Sequence, residues 1–295
     1  MSSARIIYWL WTSRQEDATL DRAGVPQLIG GTPSYEGAIV PATQWTWAID
    51  AHRLTRTFGA VTAVRDVTLQ VPTGTIFAFL GPNGSDKSTT VKLLTGLLAP
   101  TAGEARVAGR VVSAEDLALR RMIGILPEND ALFQDLTIWE HLELSGRLYG
   151  LTRQETQARA VQLLQHLDLE QGRGTLVDEA SFGMRKKCAL AMALLHNPRV
   201  LFLDEPFEGI DPGSSRNIKD LLLALADRGV TVFLTSHILE VVERLADRFA
   251  LIVRGEIVAC QRVSDLTSAG TTLEDLYLRY AGRPAAGDLT WLGSR

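Results

Sequence analysis

From about residue 48 to residue 260 the chain alternates short, almost wholly apolar runs with longer stretches whose apolar residues recur every three or four positions. The apolar runs are IFAFLG (76–81), IGILPE (123–128), VLFLDEP (200–206), TVFLTSH (231–237) and FALIVRGEIVA (249–259). Each is strand-length and apolar on both faces, the pattern of strands covered on both sides in a parallel sheet. Between them lie helix-like segments. KSTTVKLLTGLL (87–98) is one. Residues 137–168 hold more, with Ile138, Leu142 and Leu148–Tyr149, then Ala160, Leu163–Leu164 and Leu167, at helical spacing. Another is expected from about 213 to 228, and a further one after His237. VTLQV (67–71) and GEARVAG (103–109) also read as strands, and the antiparallel-looking runs near the start suggest a small β layer beside the main sheet. The whole predicts an α/β fold with a mainly parallel sheet.

Both ends differ from this frame. Residues 1–48 mix Gly, Pro, Ser and Thr with Trp9, Trp11, Trp45 and Trp47 and keep no period, so a disordered N-terminal extension is expected. The tail from about 283, RPAAGDLTWLGSR, reads the same way. The chain has 295 residues, 46% hydrophobic and 22% charged, enough for one large domain with additions. A net charge of −4 argues against a nucleic-acid partner, which a basic stripe would announce. No run reaches the roughly eighteen apolar residues that span a bilayer. Cys188 and Cys260 match no metal or redox spacing, and a reducing cytoplasm is the natural setting.

Chemistry gathers at the ends of the apolar runs. GPNGSDKST (81–89) follows a strand and opens a helix, the setting in which backbone N–H groups and a helix N-terminus cradle phosphates. It comprises Gly81, Pro82, Asn83, Gly84, Ser85, Asp86, Lys87, Ser88 and Thr89. Lys87 is placed to neutralise the outer phosphates and Ser88 to hold Mg²⁺. Four apolar residues then lead to Asp204 and Glu205. A carboxylate at the tip of a buried strand is costly without a cation, so Asp204 is a Mg²⁺ partner and Glu205 a base that polarises a water. His237 ends the next strand, where α/β sheets place ligands, and is a candidate γ-phosphate contact.

In this order the motifs resemble those of the nucleotide-binding subunit of an ATP-binding cassette (ABC) transporter, over roughly residues 50–260. The resemblance implies a P-loop NTPase fold with a helical subdomain inserted at about 130–185, an ATPase domain over 49–265, and a C-terminal helix and tail over 266–295. It adds Phe58 as the aromatic that stacks on adenine and Glu128 as a ligand of Mg²⁺. ASFGMRKK (180–187) corresponds to the family signature, in which Ser181 and Gly183 would touch the γ-phosphate of an opposite subunit. EGID (208–211) corresponds to the loop crossing the dimer interface, with Asp211 its acidic member. The implied cofactors are ATP and Mg²⁺. The implied partners are a second ATPase subunit, in a homo- or heterodimer, and a membrane-spanning permease that holds the chain at the cytoplasmic face of the plasma membrane. SFGMRKK, FEGIDP and TTLEDLYLRYAG look like single-cassette subunits of bacterial multidrug or antibiotic exporters.

Asp86 departs from the pattern, which asks for glycine there. Its carboxylate is expected to sit in the anion site, pair with Lys87 and compete with ATP. The alternative function is therefore a regulatory cassette with weakened or lost ATPase activity. A soluble cassette acting on ribosomes or DNA would carry two cassettes or a long coiled coil, and this chain has neither.

Overall fold

The computed structural model describes residues 46–282 except 130, 131 and 269, together with two short strands, β1 (Ala18–Leu20) and β2 (Pro26–Leu28), which pair antiparallel. The expectations of disorder for the rest of residues 1–45 and for the tail after 282 lie outside the described residues.

Two further sheets organise the chain from residue 46 onward. β3 (Trp47–Phe58), β4 (Val61–Pro72), β6 (Ala102–Val107) and β7 (Arg110–Val111) form an antiparallel sheet in the order β4-β3-β6-β7. The larger sheet adds β5 (Ile76–Leu80), β8 (Ile123–Leu126), β9 (Val200–Asp204), β10 (Thr231–Ser236), β11 (Arg248–Val253) and β12 (Glu256–Arg262), in the order β12-β11-β5-β10-β9-β8. From β11 to β8 its pairs are parallel, and only β12 runs antiparallel. The expected mainly parallel sheet with an antiparallel layer is therefore the architecture. β4 is longer than its apolar run predicted, extending VTLQV back to Val61; β3, a twelve-residue strand, has no counterpart in the apolar runs, and β6 ends two residues before GEARVAG does. Polar residues at exposed positions, His52 and Arg53 in β3 and Arg65, Asp66, Thr68 and Gln70 in β4, break the apolar pattern, so an apolar-run criterion sees only part of these strands.

Period-two alternation along β5 divides the core. Ile76, Ala78 and Leu80 face one apolar cluster, shared with the helical side; Phe77 and Phe79 face another, shared with the antiparallel sheet. In the second cluster Phe233 stacks on Phe77 at 5.7 Å, meets Phe79 at 5.4 Å and Phe202 at 5.6 Å, aromatic contacts from three adjacent strands.

Among the described residues nine helices connect the strands: α1 (Lys87–Leu94), α2 (Leu117–Met122), α3 (Ile138–Tyr149), α4 (Arg153–His166), α5 (Phe182–Leu195), α6 (Pro212–Asp227), α7 (Leu239–Leu245), α8 (Val263–Ser268) and α9 (Leu273–Ala281). α1 stops four residues short of the expected end. Gly96 turns left-handed at φ 74°, and a Cβ there would lie 3.0 Å from the Ser113 carbonyl, so this turn asks for glycine. α3 and α4 each start with a capping box, Thr137 with Glu140 and Thr152 with Glu155. They cross closely at Gly146, where a Cβ would come within 2.2 Å of the Thr156 hydroxyl. Among the described residues no helix is long and apolar enough to cross a membrane.

Phe233→Ala removes the ring common to the aromatic contacts of three strands. It is expected to cost about 3–5 kcal/mol in equilibrium urea unfolding, the usual range for a buried aromatic truncated to alanine.

Candidate active site

β5 delivers the chain into the phosphate-loop motif at Gly81, where backbone and side chains meet too closely for any Cβ. One built there would lie 2.3 Å from the Ile252 carbonyl oxygen and 2.4 Å from Ser85 Oγ. The Ser85 hydroxyl is buried and has no hydrogen-bond partner. An orphaned hydroxyl inside a glycine-bounded loop that opens a helix fits an anionic oxygen. Lys87, the first residue of α1, is buried; its Nζ donates to the carbonyls of Gly81 at 2.8 Å and Pro82 at 3.3 Å. The ammonium therefore lies across the loop it is expected to serve.

Across the cleft stand the acids. Parallel pairing of β9 with β10 sets Asp204 beside Thr235. The Thr235 hydroxyl donates to Asp204 Oδ1 and accepts the Glu205 N–H at 3.0 Å. Sequence reasoning took His237 from the run TVFLTSH and passed over Thr235. In the sequence nothing separates Thr235 from the other β-branched residues of this strand, all six of whose residues are buried. Glu205 sits at φ 49°, a left-handed conformation that costs a non-glycine residue about 1–3 kcal/mol and is typical of functional sites. His237 Nδ1–H donates to Glu205 Oε2 at 2.9 Å and the His237 N–H donates at 3.3 Å. Burial raises the Glu205 carboxyl above its ordinary pKa, while His237 and Lys87 pull the other way. A raised carboxyl is a better match to a base working near neutrality.

Asn83 to Thr89, Glu128, Asp204, Glu205, Glu208 and His237 line one cleft of about 410 Å³. Ser88 Oγ donates to Glu128 Oε2 at 3.3 Å within it. These hydroxyl and carboxylate oxygens are the hard donors that Mg²⁺ accepts. Among the described residues no three acids, histidines or cysteines form a complete metal cage.

The other expected site residues lie elsewhere. Phe58 ends β3, half-exposed, with the Arg56 guanidinium 4.6 Å over its ring. Ser181 is the N-cap of α5 and accepts the Met184 N–H at 3.2 Å; Gly183 follows in the first turn. Asp211 is the N-cap of α6, and the hydrogen bond from Ser214 lowers its carboxyl pKa. None of these four lines the cleft.

The ABC transporter family pattern matches residues 64–208. The linearmycin resistance ATP-binding protein LnrL of Bacillus subtilis is 36% identical over 220 residues, covering 75% of this chain and 71% of that one. The chain belongs to the ABC transporter family. The daunorubicin/doxorubicin resistance ATP-binding protein DrrA of Streptomyces peucetius is 37% identical over 77% of this chain and 69% of its own length. A solved ATP-binding subunit of an ABC transporter superposes with a TM-score of 0.74 at 30% identity, covering 79% of this chain and 98% of its own. A dimeric ATP-binding cassette holding ADP and Pi superposes with a TM-score of 0.67 at 26% identity, over 73% of this chain and 98% of its own. The protein is thus an ABC transporter ATP-binding subunit, an ATPase that binds ATP. Nothing in these comparisons supports a regulatory cassette.

The structure corrects one part of the expectation for Asp86, its ion pair with Lys87; the residue does line the cleft. Its carboxylate accepts from the Thr89 hydroxyl at 3.1 Å and forms no ion pair with Lys87, whose ammonium faces the loop carbonyls. The backbone at Asp86 is left-handed, φ 66° and ψ 31°, which explains the glycine of the family pattern. Aspartate tolerates that region better than most residues, at a cost of up to about 1–2 kcal/mol. Two unit charges 4 Å apart at an effective dielectric near 20 would oppose each other by roughly 4 kcal/mol, the upper bound on the effect of the aspartate. Asp86→Gly is expected to bind Mg-ATP about tenfold more tightly, or roughly 1.4 kcal/mol, in a titration with a fluorescent ATP analogue. Unchanged affinity would show that the aspartate does not weaken the site.

Proposed function

We propose that this subunit pairs head to tail with a second cassette and that the pair drives export of a drug or antibiotic through a separate membrane-spanning partner. The observation that carries this reading is the gathering of Lys87, Ser88, Asp204, Glu205 and His237 around one cleft. In it the loop 81–89 and Lys87 receive the phosphates of ATP, and Phe58 stacks on the adenine. Ser88, Glu128 and Asp204 would hold Mg²⁺, which would supply positive charge to the phosphate oxygens. Glu205 takes the proton of the attacking water, and His237, tied to it, contacts the γ-phosphate. Ser181, Gly183 and Asp211 lie outside the cleft, which accords with their acting on nucleotide held by the other cassette. Similarity to a dimeric cassette supports the pairing. Relatives named for linearmycin and daunorubicin/doxorubicin resistance support an export role. The chain then sits at the cytoplasmic face of the membrane through its partner.

Glu205→Gln keeps the shape of the side chain and removes the base. It is expected to retain ATP binding, lose turnover by about 10²-fold or more, and run as an ATP-dependent dimer in gel filtration. Persistence of wild-type turnover would remove Glu205 from this role. The raised Glu205 carboxyl sets a further expectation. The base works only when deprotonated, so the acid limb of kcat/KM falls at a pH above the ordinary glutamate value of 4.5. A pH–rate profile that stays flat down to that value would contradict the assignment.

A further inference from the structure

Lys186, on the second turn of α5, is almost wholly enclosed, with 1% of its side chain exposed, yet its Nζ has no hydrogen-bond partner. A buried ammonium without acceptors is costly, and the groups that face it decide why it is kept. Two do. Glu208 Oε2 lies 4.0 Å away, and the Phe182 ring lies 5.3 Å away. Glu208 belongs to the cleft: it lines the same space as Lys87 and Glu205, and its N–H donates to the Glu205 carbonyl at 3.3 Å. Phe182 seats the same loop. Gly209 is left-handed at φ 67°, and a Cβ there would lie 2.5 Å from the Phe182 ring, so the ring closes over the turn that follows Glu208.

Charge explains what the arrangement accomplishes. Five carboxylates line the cleft, Asp86, Glu128, Asp204, Glu205 and Glu208, and among its lining residues Lys87 supplies the one ammonium. A triphosphate entering that space meets fewer opposing charges when one carboxylate is drawn towards a cation outside it. We propose that Lys186 is a positioning residue for the nucleotide site: from behind the cleft wall it holds the Glu208 carboxylate aside and offsets its charge. Lys186 stands on the helix opened by Ser181. The same contact thus joins the phosphate cleft to this chain's own signature segment.

The test is an equilibrium titration of the full chain with a fluorescent Mg-ATP analogue and, in parallel, with adenosine, which carries no charge. Lys186→Met keeps the length of the side chain and removes the ammonium. It is expected to weaken Mg-ATP binding about fivefold, the scale of one uncompensated charge near a partly solvated phosphate, and to leave adenosine binding unchanged. In a Glu208→Gln background the same Lys186→Met change is expected to weaken Mg-ATP binding by less than about twofold, because the charge it offsets is gone. No loss, an equal loss in both backgrounds, or a matching loss of adenosine binding would overturn the proposal. Glu208→Gln alone keeps it testable if Lys186→Met does not fold: Mg-ATP binding should tighten about threefold, and failure to tighten overturns it. The proposal rests on the cleft receiving the phosphates. Lys87→Ala probes that reading in the same titration. Undiminished Mg-ATP binding by Lys87→Ala would overturn both, whereas the Lys186 results bear on this proposal alone.

Discussion

Thr235 offers one hydroxyl to two acidic residues, donating to Asp204 and accepting from the Glu205 backbone, and the chemistry of the cleft hangs on that bridge. A carboxylate at the end of a buried strand has few ways to be satisfied. The parallel register of β9 with β10 supplies one by setting Thr235 directly beside Asp204. With Asp204 fixed, Glu205 is held left-handed at φ 49°, a conformation an unsupported glutamate would leave. With Glu205 fixed, His237 has a partner, since both its ring and its backbone donate to the same carboxylate oxygen. β5, the other neighbour of β10, brings the phosphate loop to the same edge of the sheet. Strand register thus does what no single motif does: it turns three separate stretches of sequence into one cleft.

Much of this is legible in the order of residues alone. Runs apolar on both faces point to a buried parallel sheet because such strands have no polar side to show. The phosphate loop, Asp204, Glu205 and His237 are readable because each closes an apolar run with residues that an apolar core would reject. Less legible is whatever depends on pairing. Thr235 looks like one more β-branched strand residue until the register puts it against Asp204. Glu208 and Lys186 read as surface charges, since twenty-odd residues of helix and strand separate them; only folding brings the ammonium within 4.0 Å of the carboxylate. β3 and the outer half of β4 escape because a strand with one face in solvent writes a mixed pattern.

Asp86 shows where local chemistry misleads. A lysine next in sequence and an anion site around it suggest an ion pair. Asp86 caps the helix with a left-handed backbone, and its carboxylate accepts from the hydroxyl three residues on rather than from its neighbour. Lys87 instead reaches back over the loop, to carbonyls that no sequence pattern records as acceptors.

The left-handed backbone at Asp86 also bears on how this loop can change over time. The chain already holds the conformation that glycine adopts freely, so reversion asks for no rearrangement of the loop, the helix or the strand before it. Both aspartate codons become glycine codons by a change of the middle base alone. The acidic loop is therefore one mutational step, with no structural intermediate to cross, from the common form. A lineage that keeps it does so with the alternative always within reach.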